Sequence, residues 1–324
     1  MRLVPAPLRA LAAAFAAATL IVPVAQAQSC PDGVIKIIVP YAPGTTDQQA
    51  RALAQGMEKA LGQSIIIETR GGAGGSIGTN LVARSAPNGC TLLYASLAPL
   101  TIVPQITKVP YAYDDIVPVA KVMASPHLLA ARADAPYKNL EELVAYGKAN
   151  PGKINFGSTG TGSAVHLAGM AFAKAAGIQI THVPFQGLAP AVTAALGGHV
   201  DIVVGLPIVI LPQVQAGKMN AIAQLGATRA VSLPDVPTAM EKGIKLDLIS
   251  NHGIFVPKGT PPAVLAKLQN AVQASMESEE WKQFTKQKNE APKFDTGANF
   301  KREIDAERDL MAALIKEYDI KEQP

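Results

Sequence analysis

The sequence is poor in cysteine and aromatic residues and contains no block of basic residues. It has two cysteines in 324 residues, and aromatic side chains make up 5% of the chain. A nucleic-acid-binding surface usually needs clustered Lys and Arg, so we predict no nucleic-acid partner. Beyond the N-terminal segment, no apolar stretch is long enough to span a membrane.

Signatures of catalysis, metal binding and nucleotide binding are also lacking. The five histidines show no HExxH or paired metal-ligand spacing, and no GxxxxGK(S/T) occurs. In the most glycine-dense segment, residues 71–78, Ile77 stands where the third glycine of GxGxxG is required. We therefore predict no metal, no cofactor and no enzymatic activity.

One alternative belongs to a different functional class. Ser158 and Ser163 lie in glycine-rich turns, and either could serve an exported serine hydrolase. Neither occurs in a G-x-S-x-G motif, and no base–acid partner motif accompanies them. Turnover of chromogenic esters that a Ser→Ala substitution abolishes would support this alternative. A receptor fold recruited for sensing is a third alternative.

The first 27 residues have the organisation of a secretory signal peptide. Arg2 and Arg9 form a basic region, an alanine-rich apolar run covers residues 11–24, and a small-x-small cleavage site ends at Ala27. We predict an exported, periplasmic chain that begins at Gln28. Without Arg2 and Arg9 it carries 27 basic and 25 acidic residues, a formal charge of +2.

The two cysteines are predicted to form a disulfide in the oxidising exported compartment. Cys30 lies shortly before the apolar strand predicted at residues 35–39, and Cys90 immediately precedes another predicted strand at residues 91–95. If these strands are parallel neighbours, both cysteines lie at the same N-terminal edge of the sheet. We therefore favour a Cys30–Cys90 disulfide over two free thiols.

A strand–loop–helix unit dominates the start of the mature chain. The β-branched run at residues 35–39 predicts a buried parallel strand, and the helix that follows the loop ends at Gly62. Thr46 or Asp47 is the predicted N-cap. The intervening loop offers backbone N–H groups and hydroxyls at the positive end of a helix, which is a suitable place for an anion.

A second unit of the same kind follows in the middle of the chain. A strand is predicted at residues 153–157, a Ser/Thr/Gly loop at 158–163, and a helix from Ser163 to Gly177. Strands and helices then alternate to residue 225, which predicts an α/β fold with parallel sheets and right-handed crossovers. Helices in the C-terminal third are predicted to pack against the first domain.

Several segments resemble one known family. They are residues 40–51, 72–78, 86–93, 163–169, 182–191, 197–201, 233–238 and 257–261. All are similar to the Bug family, the periplasmic solute-binding receptors of tripartite tricarboxylate transporters. The match runs in order through nearly the whole mature chain, so it is specific for the family and less so for the ligand.

The resemblance implies an α/β periplasmic-binding-protein fold of type II, a Venus flytrap with two lobes of mainly parallel sheets and a cleft between them. Lobe 1 would comprise residues 28–124 and 226–324, and lobe 2 residues 125–225. The resemblance also implies a monomer that captures a small organic carboxylate, such as a di- or tricarboxylate or an aromatic acid. It would then dock transiently with membrane transporter subunits and deliver the ligand.

By matching position, the resemblance also implies a ligand site. Its residues would be Ala42, Gly44, Thr45, Thr46, Asp47, Gly74, Gly75, Ser96, Ser158, Thr159, Thr161, Gly162, Ser163, Phe185 and Asp201. Two departures affect this pocket. The first loop is one residue shorter than in the family, and Asn251 stands where the family usually has Trp. We expect Asn251 to make that wall smaller and more polar.

Overall fold

The described part of the chain consists of residues 30, 33–230, 232–288 and 290–320 of a computed structural model. The predicted signal peptide and Gln28, the predicted first residue of the mature chain, lie outside these residues. Within the described ranges, no helix is both long and apolar enough to cross a membrane.

Strands and helices alternate through most of the chain. In order they are β1 (Val34–Val39), α1 (Thr45–Leu61), β2 (Ser64–Thr69), α2 (Ser76–Ala83), β3 (Thr91–Ser96), α3 (Ala98–Thr101), α4 (Val103–Ile106), β4 (Ile116–Pro126), β5 (Leu128–Arg132), α5 (Leu140–Ala149), β6 (Ile154–Ser158), α6 (Ala164–Ala176), β7 (Ile180–Pro184), α7 (Leu188–Leu196), β8 (Ile202–Gly205), α8 (Pro207–Gln215), β9 (Met219–Gln224), β10 (Ile249–Pro257), α9 (Pro262–Glu277), α10 (Glu279–Gln287), β11 (Pro292–Thr296) and α11 (Gly297–Glu317). Short 3-10 turns cover Ala73–Gly75 and Tyr113–Asp115.

The strands form two sheets. The first has the order β11-β4-β10-β3-β1-β2, and the second has the order β7-β6-β8-β5-β9. The two sheets meet where β4 runs directly into β5. The chain returns to the first sheet through β10.

Both sheets are mixed, whereas the resemblance implied mainly parallel ones. β1 pairs in parallel with β2 and β3, but β10 runs antiparallel to β3 and β4, and β11 antiparallel to β4. In the second sheet β6 is parallel to β7 and β8, and β5 is antiparallel to β8 and β9. In each sheet an inner strand, β10 in the first and β5 in the second, runs against its neighbours on both sides.

The disulfide prediction is confirmed. β1 and β3 are parallel neighbours, so the cysteines before them lie at one edge of the first sheet. Cys30 and Cys90 are bonded, with their Cα atoms 4.5 Å apart.

The predicted N-cap of α1 is wrong. Gly44 occupies that position with an extended φ of 174°, and no side chain caps the helix. Asp47 lies in the first turn, where a carboxylate is favoured by the helix dipole, and pairs with Arg51 at 3.0 Å. The C-terminus is as predicted, because Gly62 adopts the left-handed conformation that ends helices without steric cost.

Helix α9 packs on the first sheet beside α1, as predicted for the C-terminal helices. Ser275 donates a hydrogen bond to the Leu53 carbonyl at 2.6 Å. Gly56 faces Ser275 so closely that a Cβ atom there would collide with its hydroxyl. The two helices therefore approach at a position that only glycine permits.

Helix α11 contacts both halves of the molecule, which the sequence did not predict. Its first half packs on β4 and α3 of the first sheet. Further along, Met311, Leu314 and Ile315 join the apolar core of the second sheet. Tyr318, just after the helix, donates to the Met170 carbonyl at 3.0 Å. This helix therefore ties the two sheets together on one side.

Candidate functional site

The carboxyl ends of strands from both sheets meet around a cavity of about 520 Å³, here called the cleft cavity. This volume is within the range of roughly 300–1,000 Å³ that is usual for small-molecule sites. The first sheet and its loops contribute Tyr41, Ala73, Gly74, Ser96, Ala98, Val103, Ile106 and Thr107. The loop after β6 and the start of α6 contribute Thr159, Thr161, Gly162, Ser163, Ala164 and Val165.

The loop between β6 and α6 is built to present hydrogen-bond donors. Ser163 is the N-cap of α6, and its hydroxyl accepts from the His166 N–H at 3.1 Å. The first N–H groups of an α-helix have no partner within the helix, and Ala164 and Val165 at this point line the cavity. Gly162, with φ of 74°, packs against Ile106 where a Cβ atom would clash.

Thr161 carries the clearest mark of a binding role in this loop. Its Oγ1 atom is buried and has no hydrogen-bond partner among the described residues. Buried hydroxyls are normally hydrogen-bonded, because leaving one unpaired costs about 1–3 kcal/mol. Since Thr161 lines the cleft cavity, a ligand atom there could supply the missing partner.

Tyr41 faces this loop from the first sheet and was not among the predicted site residues. Its hydroxyl lies 2.6 Å from Ser96 Oγ. Burial raises the pKa of Tyr41 to about 12, so the phenol is neutral near pH 7 and can donate a hydrogen bond. Its position two residues after the end of β1 was the signal that could have identified it.

The structure brings only some of the predicted residues to the cleft cavity. Gly74, Ser96, Thr159, Thr161, Gly162 and Ser163 line it. The residues of the first loop and three others lie outside its lining: Ala42, Gly44, Thr45, Thr46, Asp47, Gly75, Ser158 and Phe185. Gly75 instead makes a close approach to Pro99 and Tyr41, and the Phe185 N–H donates to the Ser158 carbonyl at 3.1 Å.

Asp201 lies at the N-terminal ends of the parallel strands of the second sheet, whereas the Ser158–Ser163 loop lies at their C-terminal ends. It precedes β8, which runs parallel to β6, whereas the loop follows β6. Its carboxylate accepts from the Asn155 N–H at 2.9 Å and contacts Arg132 at 3.3 Å. The side chain therefore ties neighbouring strands together, and the structure does not bring it to the cavity.

Ser158 forms a contact that resembles a nucleophile–base pair. Its Oγ lies 2.6 Å from His182 Nε2, and His182 stacks on His166 with ring centroids 3.7 Å apart. Burial lowers the pKa of both imidazoles to about 4. However, the Ser158 side chain is fully buried and does not line the cleft cavity, and it also exchanges hydrogen bonds with the Gly160 backbone. This geometry fixes the shape of the loop and does not offer a nucleophile to a substrate.

Asn251 lines a second cavity of about 430 Å³. We call it the hinge-side cavity because it is surrounded by β4 and β10, through which the chain passes between the two sheets, and by α11, which contacts both sheets. The predicted wall residue therefore does not line the cleft cavity. Lys121 is 1% exposed there, and its Nζ lies 2.6 Å from both carboxylate oxygens of Glu303. Ser96, Ala98 and Ala164 line both cavities.

Comparison with known proteins yields a family and several similar structures. Residues 49–320 match the family described as "Tripartite tricarboxylate transporter family receptor". A UPF0065 protein of Bordetella pertussis is 34% identical over 308 residues, which cover 92% of this chain and 94% of that protein.

Two solved structures share the fold over nearly their whole length. The periplasmic binding protein BugD has a TM-score of 0.76 at 32% identity, covering 91% of this chain and all of that one. MatC from Rhodopseudomonas palustris with bound malate has a TM-score of 0.75 at 29% identity, covering 88% of this chain and all of that one. The two-lobed α/β fold implied by the sequence resemblance is thereby confirmed.

Proposed function

The chain belongs to the receptor family of the tripartite tricarboxylate transporters, and from that premise we propose that it captures a small organic carboxylate in the cleft cavity and delivers it to a membrane transporter. Like its relatives, it is a periplasmic solute-binding receptor and not an enzyme. The chemical class of the ligand follows from the cavity and from the malate bound to MatC.

The unpartnered hydroxyl of Thr161 is the observation that carries this proposal. It belongs to a residue that lines the cavity beside the N-terminus of α6, where N–H groups and the helix dipole favour a negative charge. No Lys or Arg occurs between Gly157 and Ala173, so hydroxyl and N–H donors hold the carboxylate there without a fixed positive charge. The hydroxyls of Tyr41 and Ser96 share one hydrogen bond, which leaves one hydroxyl hydrogen to donate from the opposite side.

The two groups of donors belong to different sheets, which supports closure of two lobes around the ligand. We propose lobe 1 as residues 28–124 and 226–324, and lobe 2 as residues 125–225. A ligand that contacts both lobes favours the closed state because it binds that state more tightly than the open one. Helix α11, which contacts both sheets, restricts the opening on its side.

The remaining parts of the proposal concern processing and assembly. We propose that signal peptidase cleaves after Ala27 and that the mature chain is a monomer which docks transiently with its transporter. Mass spectrometry of the exported protein should give the mass of a chain that begins at Gln28. Light scattering should give the mass of one chain.

A ligand screen tests the function directly. Thermal shift followed by calorimetry would compare di- and tricarboxylates, aromatic acids and acidic amino acids. Each acid would be paired with its methyl ester or amide, which keeps the shape and removes the charge. We expect at least one acid to bind and its neutral counterpart to bind far more weakly. Equal binding of both members of every pair would contradict a carboxylate site.

A further inference from the structure

We infer that the ligand carries an ammonium group at the end remote from its carboxylate, and that Asn251 and Glu307 receive this group in the hinge-side cavity. The inference rests on the proposed function, because it takes the carboxylate end to be held in the cleft cavity. It narrows the ligand class from carboxylates in general to amino carboxylates.

The two cavities are immediate neighbours. Ser96, Ala98 and Ala164 line both of them. None of these side chains is larger than serine, so the wall between the cavities is made of small groups. In the inferred binding mode an elongated ligand runs from the start of α6, past these small side chains, into the hinge-side cavity.

The hinge-side cavity contains polar atoms that lack a partner among the described residues. Asn251 is 9% exposed and His127 is 5% exposed, and the Asn251 Oδ1 and His127 Nδ1 atoms are both buried and unpaired. An amide oxygen can only accept hydrogen bonds. The group that completes Asn251 must therefore be a hydrogen-bond donor, which an ammonium group is and an ionised carboxylate is not.

Glu307 lies in the same cavity, where it shares a hydrogen bond with the Asn251 side chain and lacks a cationic partner among the described side chains. The Thr101 hydroxyl is 3.0 Å from both Glu307 Oε1 and the Leu97 carbonyl, but it has only one hydrogen. When that hydrogen goes to Leu97, the contact with Glu307 requires a proton on the carboxyl group. Burial raises the pKa of Glu307 to about 7, which favours the same protonated state. A ligand ammonium would replace this proton with a paired charge.

The other charges around the cavity leave this position open for a cation. The buried Lys121 is already paired with both oxygens of Glu303. Asp247 and Lys293 lie on exposed parts of the lining and can be solvated. Above the pKa of Glu307, a second ligand carboxylate would therefore meet the ionised Glu307 and the unpaired Asn251 Oδ1, whereas an ammonium group would be bound by them.

Matched pairs of ligands test the inference in the unmodified protein. Glutarate, adipate and pimelate would be compared by calorimetry with straight-chain amino acids in which a terminal ammonium replaces one carboxylate at the same number of methylenes. At pH 8 we expect the best amino acid to bind at least about tenfold more tightly than its dicarboxylate partner. Its affinity should fall as the pH decreases from 8 to 6, by up to about tenfold per unit below the pKa of Glu307.

Two substitutions on α11 distinguish a role of the hinge-side cavity in binding from a general effect of charge on this helix. Glu307→Gln should weaken amino-acid binding by about tenfold to a hundredfold and remove its pH dependence. Asp309→Asn removes a charge from an exposed position of the same helix outside both cavities and should change neither property.

The outcomes distinguish this inference from the function on which it rests. Tighter binding of every dicarboxylate at pH 8, or unchanged amino-acid binding in Glu307→Gln, would overturn the ammonium subsite and leave the carboxylate receptor intact. Failure of both ligand series, and of all other acids, would overturn both. If Glu307→Gln does not fold, the wild-type ligand preference and pH profile decide the question.

Discussion

Replacement of Thr161 by valine tests the carboxylate site most directly. Valine keeps the branched shape of threonine and exchanges the hydroxyl for a methyl group. In the ligand-free protein the Thr161 hydroxyl is buried without a partner among the described residues, so the substitution breaks no hydrogen bond of the fold. It removes only a donor on a residue that lines the cleft cavity.

The expected effects on binding and on stability therefore have opposite signs. A hydrogen bond to a charged group contributes roughly 1.5–3 kcal/mol, so carboxylate affinity should fall by about tenfold to a hundredfold. The free energy of unfolding without ligand should stay the same or rise by up to about 1–3 kcal/mol, because an unpaired buried polar atom is removed. A general weakening of the protein would lower both quantities.

Calorimetry and denaturant unfolding of the same preparations would measure the two effects. Thr193→Val is the matched control, since the Thr193 hydroxyl is exposed on α7 and donates to the Ala189 carbonyl at 3.1 Å, outside the cavity. Wild-type affinity in Thr161→Val would refute the role of this loop. Lost affinity together with lost stability would show that Thr161 supports the fold and not the ligand.

Three further predictions concern the fold and its motion. Thiol titration of denatured, non-reduced protein should find no free thiol, and two thiols per chain would exclude the disulfide. The double substitution Cys30→Ser, Cys90→Ser should lower the free energy of unfolding by at most about 4 kcal/mol. Burial lowers the folded-state pKa of His127 and His252 to about 4, below the unfolded value near 6.5. The unfolded chain therefore binds more protons between these pH values, and stability should fall as the pH decreases from 6.5 to 4, by up to about 1.4 kcal/mol per pH unit for each histidine. Urea unfolding across this range measures the slope, and His127→Asn should reduce it. Small-angle scattering should show a smaller radius of gyration with a bound carboxylate than without one, and an unchanged radius at saturation would contradict lobe closure.

The regular elements could largely be predicted from the sequence, because each depends on neighbouring residues. The β-branched run of β1, the apolar periodicity of α1 and the helix-ending Gly62 and Gly177 all lie where the pattern indicated. Strand β11 was missed because Pro, Lys and Asp are unfavourable in strands. Its place at the edge of the first sheet tolerates the proline at its start.

Only some of the predicted site residues line the cleft cavity. The loop from Thr159 to Ser163 could be selected from the sequence because a Gly-rich turn before a helix has a recognisable pattern and exposes donors for a local reason. Asp201 was misplaced because motif matching along the chain does not tell which end of a sheet a residue occupies. Tyr41 was left out although it lies two residues after the end of β1.

The sequence by itself determined the α/β alternation, the disulfide partners and the family, and it predicts the export signal. Only the tertiary structure decided that α11 contacts both sheets, that the Thr161 hydroxyl is buried without a partner, and that Asn251 and Glu307 share a second cavity. Helix and strand preferences arise from residues a few positions apart. Burial and the supply of hydrogen-bond partners depend on segments that are distant in sequence, and these meet only when the two sheets and α11 pack together.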